Sequence, residues 1–193
     1  MPRARPTARS TAEARRADVI AHAVAAFART GYFATRVGEV AEAAGISEAY
    51  VFRLFGDKLG LFLAAFDHGC VQIVAALAAG AERAQGAGTT PADVLDAMAD
   101  AYADLIADRA LVALQVHAQS AAGVPEIGAA VRHAYETVVT FVQARSGADD
   151  ASVQRFMAYG QLCHLIATTG LDAVAAPWAR LLTAGIRHPG GHA

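Results

Sequence analysis

Between Thr11 and Thr30 the apolar residues Val19, Ile20, Ala23, Val24 and Phe27 recur at steps of three and four, the spacing that lines one face of a helix. Gly31 follows as the stop. Shorter helices are predicted over 37–44 and 47–55, divided by Gly45, with Gly56-Asp57 as the next turn. Lys58 then opens a long apolar helix reaching toward Ala84 with Leu61, Phe62, Phe66, Ile73, Val74 and Leu77 on it. After a loop from Gln85 to Pro91, Thr90 and Pro91 form an N-cap and first-turn pair for a helix over 91–107. Val94, Met98, Tyr102 and Leu105 share its apolar face, and the Asp residues fall largely elsewhere. Further helices are expected over 109–122, 125–145, 150–170 and 174–185, punctuated by Gly123 with Pro125, by Ser146-Gly147 and by Gly170 to Asp172. The pattern predicts an all-α chain of about nine helices with no strand.

Composition agrees. Apolar residues are 55% and charged residues 18% of the 193, with mean hydropathy +0.31, which excludes a disordered polyelectrolyte. About a quarter of the chain is Ala, and β-branched and aromatic residues are sparse. The apolar run Ile73 to Ala81 is far short of a membrane span, so no transmembrane helix is expected. The N-terminus carries Arg3, Arg5, Arg9, Arg15 and Arg16 without the apolar core of a secretory signal, and a cytoplasmic protein is expected. Cys70 and Cys163 are too few for a disulfide framework and read as reduced, buried thiols.

The formal net charge of −2 conceals an asymmetry. Residues 1–60 hold nine Lys/Arg against six Asp/Glu, and residues 61–193 hold seven against twelve. A basic head on an acidic body is the distribution of a nucleic-acid reader joined to a module of another kind.

The stretch from Val37 to Phe55 has the spacing of a helix-turn-helix. Ala41 is small where two helices meet, Gly45 occupies the turn, and Val40, Val51 and Leu54 supply the apolar contacts. Ser47, Glu48, Ala49, Phe52 and Arg53 remain on a face able to enter a major groove.

These residues, with Ala25-Ala26-Phe27, Thr30-Gly31-Tyr32, the run Val40 to Ser47 and Phe55-Gly56-Asp57-Lys58, resemble the TetR family of transcriptional regulators over about Ala14 to Phe66. The resemblance implies a three-helix DNA-binding domain over 11–57, preceded by a basic tail over 1–10. It implies an effector-binding and dimerisation domain over 58–186, followed by a tail over 187–193. Gly160-Gln161-Leu162 and Gly170-Leu171 fit that body less specifically. By resemblance Lys58, the chain's single lysine, contacts a DNA phosphate from the start of the fourth helix, where the helix dipole assists it, and Tyr50 occupies another phosphate-contacting position. Two departures concern specificity. Phe52 stands where the family usually has Tyr, leaving ring contact with sugar or a thymine methyl. Arg36 stands where Thr usually caps the second helix, so the cap is lost or passes to Thr35, and Arg36 gains access to a phosphate. Arg53 has two uses, a fork to guanine or a phosphate contact, and the role of Glu48 stays open. DNA-binding positions are thus expected at Arg36, Ser47, Ala49, Tyr50, Phe52, Arg53 and Lys58. The basic residues from Arg3 to Arg16 are candidates for a minor-groove arm or a solubilising tail.

In the body, Phe66, Met98, Tyr102, Gln115, His117, Tyr135, Gln161 and His164 are candidates for lining an apolar cavity with a few polar groups. The scarcity of Lys and Arg there points to an apolar or neutral effector. By resemblance, Phe156, Leu162, Leu165, Ile166, Trp178, Leu181 and Leu182 on the last two long helices pair across a two-fold axis in a homodimer. Met157 belongs to the same apolar set. No metal site is expected: Cys163 and His164, and His68 and Cys70, diverge on their helices, and His188 and His192 lie in a Gly-Pro tail. No cofactor or catalytic motif is found, and an enzyme is not expected. The expected partners are a double-stranded palindromic operator, a small apolar or neutral effector and a second copy of the chain, and the expected function is repression relieved by that effector. The alternatives are an activator or an effector-independent DNA binder and, from another class, a helical carrier or enzyme built on the cavity.

Overall fold

The structure, a computed structural model, describes residues 8–185. Arg3, Arg5, His188 and His192, with the proposed C-terminal tail, lie outside the described residues. Among those described there are nine α-helices, one 3-10 turn and no strand. They are α1 (Ala8–Ala34), α2 (Val37–Ala43), α3 (Glu48–Phe55), α4 (Lys58–Arg83), α5 (Pro91–Leu105), α6 (Arg109–Ser120), α7 (Pro125–Ser146), α8 (Asp150–Thr169) and α9 (Pro177–Thr183), with the 3-10 turn Leu171–Ala173 between α8 and α9.

Local chemistry sets the ends of these helices. Ser47, Asp57, Thr90, Asp108 and Asp149 each accept a backbone N–H in the first turn that follows. At Thr90 the pairing is reciprocal, because the Asp93 carboxylate accepts the Thr90 N–H at 2.8 Å. Of the two outcomes expected at Arg36, the cap is lost rather than passed to Thr35. Thr35 Oγ1 bonds the Gly31 carbonyl at 2.7 Å and Thr30 Oγ1 at 2.6 Å, fastening the end of α1, and α2 begins without a side-chain cap. Gly45, at φ 64°, turns the chain between α2 and α3 in a conformation that costs other residues.

α1 starts at Ala8, three residues earlier than the periodicity places it. It breaks at Gly31, whose φ of 73° and ψ of 177° are open essentially to glycine alone. Val19, Ala23 and Phe27 on α1 pack with Val40, Val51, Leu61 and Phe62, and the Phe27 and Phe62 rings meet edge to face at 4.9 Å. Leu111, Leu114 and Ala118 of α6, Ala121 just past its end, and Ile127 and Val131 of α7 belong to the same core. The head therefore has no core of its own, since α6 and α7 complete it. A second core joins α4, α5, α7 and α8 through Ile73, Leu77, Leu95, Met98, Val142 and Val153.

By length and composition, α4 is apolar enough to cross a membrane, with a mean hydropathy of 1.7 over its most apolar window. In this fold its Leu61, Phe62, Phe66, Ile73 and Leu77 are buried among the neighbouring helices.

Candidate nucleic-acid interface and effector cavity

The helix-turn-helix presents one exposed face. Val51 is fully buried, which turns Ser47, Glu48, Ala49, Phe52 and Arg53 outward, with Tyr50 half-buried beside them. The Arg53 guanidinium lies 4.4 Å from the centre of the Tyr50 ring. The Glu48 carboxylate leans over Gly38 in the first turn of α2, 3.3 Å from where a Cβ would stand. Two arginines of α1 flank this face. Arg15 borders the shallow depression formed with Ile46, Ser47 and Tyr50, and Arg16 lies 4.6 Å above the Phe55 ring. Because α1 begins at Ala8, both ride on a helix rather than on an arm.

The remaining cations at this end are tethered in the protein alone. Arg36 Nε and Arg29 Nη2 grip the two oxygens of Glu39 at 3.0 and 2.9 Å. Arg36, followed by Arg29, holds that carboxyl below its ordinary range. Lys58 Nζ donates to the Phe33 carbonyl at 3.1 Å and lies 5.2 Å from the Tyr32 ring centre, which places the lysine at the N-terminal end of α4, beside the tip of α1. The fit here is close, because a Cβ on Gly60 would overlap the Phe55 carbonyl oxygen.

In the body, α4 to α8 enclose a cavity of about 450 Å³, a size typical of small-molecule sites. Phe66, Ile73, Leu77, Val131, Val138 and Phe156 give it apolar walls. Six of the eight expected residues line it: Phe66, Tyr102, Gln115, Tyr135, Gln161 and His164. Met98 does not; it is fully buried in the core shared by α4, α5, α7 and α8. His117 does not either. It faces α1, with its Nδ1 2.7 Å from where a Cβ on Gly31 would stand. Gln119, Cys70, Asp96 and Asp100 line the cavity without being among the residues expected there. Gln119 lies four residues from Gln115 and so on the same helix face, which was the available signal.

The polar groups form two clusters. In one, Tyr102 Oη is 2.6 Å from His164 Nε2 and accepts from Gln115 Nε2 at 3.3 Å, while that same nitrogen donates to the Leu111 carbonyl. In the other, Tyr135 Oη accepts from Gln119 and from Gln161, each at 2.7 Å, and Gln119 also donates to Gln161 Oε1. Burial pushes the Cys70 thiol up to about 12, raises the Tyr102 and Tyr135 phenols and the Cys163 thiol, and pushes His164 down to about 4. The thiols, phenols and imidazole of the cavity are accordingly uncharged near neutral pH. Among the described residues no group of three or more His, Cys, Asp or Glu side chains is placed to hold a metal ion.

Of the seven residues expected at a two-fold interface, two turn inward. Phe156 lines the cavity and Ile166 is fully buried. The inner face of α8 runs through Val153, Cys163, Ile166 and Ala167, so Leu162 and Leu165 fall on other sides. Leu165, Trp178 and Leu181 are exposed by 47%, 56% and 79%, with Leu162 and Leu182 partly exposed.

A helix-turn-helix completed by a helical body that holds a cavity is the architecture of a DNA-binding regulator. The comparisons narrow this class. Residues 19–65 match the family described as bacterial regulatory proteins, tetR family. The fold is similar to a TetR-like transcriptional regulator from Rhodococcus sp. RHA1 (TM-score 0.65, 19% identity, 94% of this chain and 93% of that one). It is also similar to the fatty acid degradation regulator FadR from Bacillus halodurans (TM-score 0.66, 17% identity, 89% and 99%) and to the TetR family regulator PfmR from Thermus thermophilus (TM-score 0.56, 18% identity, 86% and 93%). A search of curated proteins finds no match. The helix-turn-helix head thus matches the model of the tetR family of bacterial regulatory proteins, and along its length the chain has the fold of these regulators.

Proposed function

We propose that the protein is a cytoplasmic, homodimeric transcriptional repressor that leaves a palindromic operator when a small apolar or neutral molecule fills the cavity. The carrying observation is the double duty of α6. Gln115 and Gln119 face the cavity, while Leu111, Leu114, Ala118 and Ala121 at the other side of the helix and its C-terminal end pack in the core that α1, α2 and α3 share, and His117 abuts Gly31. A ligand that displaces α6 therefore tilts the head, and it shifts the population by its differential affinity for the two arrangements.

On DNA, α3 enters the major groove with Ser47, Ala49, Phe52 and Arg53, while Tyr50 and Lys58 reach phosphates. Arg36 exchanges Glu39 for a phosphate. Leu162, Leu165, Trp178, Leu181 and Leu182 form the two-fold contact that sets the spacing of the heads.

The test selects bound duplexes from a random library and measures affinity for the best one against salt concentration. A palindrome with half-sites about one helical turn apart, bound by two chains, supports the proposal. Binding without sequence preference refutes it and favours a carrier or enzyme built on the cavity. Tighter binding with effector present than without points to an activator.

A further inference from the structure

The hydrogen-bond geometry of the cavity specifies more than size and apolarity. Gln115 Nε2 spends one proton on the Leu111 carbonyl and the other on Tyr102 Oη. Assigning the Tyr102 proton to His164 Nε2, 2.6 Å away, makes that ring nitrogen an acceptor. A neutral imidazole accepting at Nε2 carries its proton on Nδ1. His164 is 4% exposed, and its Nδ1 has no partner. The second cluster leaves a similar remainder. One amide assignment gives each of its three contacts a donor and an acceptor: Gln119 to Gln161 Oε1, and both amide nitrogens to Tyr135 Oη. Both acceptor positions of the phenol are then filled, and its O–H proton has no taker within the cluster.

His164 on α8 and Tyr135 on α7 both line the cavity, and each thus carries a donor without an acceptor. A ligand that covers them and accepts from neither leaves their desolvation uncompensated. Among the described residues no Lys or Arg lines the cavity, so a carboxylate or phosphate finds no counter-charge on its walls. An ammonium offers nothing to the two donors.

We propose that the effector is an uncharged, largely apolar molecule with a carbonyl oxygen, of the ketone or ester class, that accepts from His164 Nδ1–H or Tyr135 O–H. Tyr102 is a positioning residue that fixes the ring proton on Nδ1. The inference rests on the effector role given to the cavity above.

The experiment is titration calorimetry on the full chain with four near-isosteric probes: butyrophenone, butylbenzene, 4-phenylbutanoate and 4-phenylbutylamine. Butyrophenone is expected to bind about tenfold tighter than butylbenzene, although its carbonyl makes it the better hydrated of the two, and tighter than either ion. His164→Phe and Tyr135→Phe each remove one donor. At least one of them should reduce the ketone-to-hydrocarbon ratio about fivefold while leaving butylbenzene affinity within twofold. If His164→Phe fails to fold, Tyr135→Phe with Tyr102→Phe carries the test, since loss of the Tyr102 proton lets the ring proton move to Nε2 and should also lower the ratio. Tighter binding of butylbenzene or of either ion overturns the proposal, as does binding of none of the four or a ratio unchanged in every variant. Operator binding is measured separately. A chain that prefers the ketone but reads no DNA sequence refutes the regulator and not the cavity chemistry, and one that reads a palindrome but prefers the hydrocarbon does the reverse.

Discussion

The buried imidazole of His164 makes stability depend on pH with a sign and size that follow from its surroundings. Burial lowers its pKa from the ordinary 6.5 to about 4. Between these values the unfolded chain binds a proton that the folded chain refuses, so stability is lost as pH falls from about 6.5 toward 4 and is fully present above. Linkage gives a loss of about 2 kcal/mol from pH 7.5 to pH 5, saturating near 3 kcal/mol at lower pH. The neighbouring titratable groups, the Tyr102 phenol and the Cys163 thiol, have raised pKa values and stay neutral in this window. The measurement is urea unfolding followed by circular dichroism across this range, for wild type and His164→Phe at one protein concentration, because a dimer's stability depends on it. The substitution also removes the bond to Tyr102, which offsets the two curves by a constant. The wild-type advantage should shrink by about 2 kcal/mol between the two pH values. Parallel curves, or an advantage that grows on acidification, would refute the buried, neutral ring.

Other predictions test the head and the two-fold face. Lys58→Ala should weaken binding to all DNA sequences alike and reduce the slope of log affinity against log salt by about one unit; its Phe33 carbonyl partner lies beside exposed side chain, so a loss of stability above about 1 kcal/mol would instead assign the lysine a structural role. Gly60→Ala forces a Cβ against the Phe55 carbonyl where α3 meets α4, and unfolding should show a cost of about 1–3 kcal/mol with weakened operator binding; an undisturbed variant would contradict the packing. Leu181→Glu alters a side chain 79% exposed in the single chain, so helicity should persist while light scattering shows a dimer dissociation constant raised more than about a hundredfold, from roughly 3–6 kcal/mol of lost burial across the two-fold. An unchanged mass would remove this face from the interface.

The head was legible because its constraints are local. Gly45 between two short apolar-patterned segments and Ala41 at a close approach each state their role within a few residues and take it in the fold, while the caps that Ser47 and Asp57 supply there emerge only from the structure. The cavity is another kind of object. Periodicity tells which side of α5 or α6 turns inward, but not which inward positions border an empty space, because a void is defined by what four other helices fail to fill. Met98 and Tyr102 share one stripe of α5, yet the first is packed solid and the second borders the cavity. His117 failed for a related reason: on α6 two faces are buried against different partners, one toward the cavity and one toward α1, and a polar residue on either looks the same in sequence. On α8, Ile166 and Leu165 are adjacent and equally apolar, yet the first is fully buried and the second 47% exposed. In α6 and α8 the ambiguity has a physical source that bears on function. A helix that must touch both the ligand space and a second surface is apolar on more than one side, and this blurring of its amphipathic stripe is the mark such a connecting element leaves in a sequence.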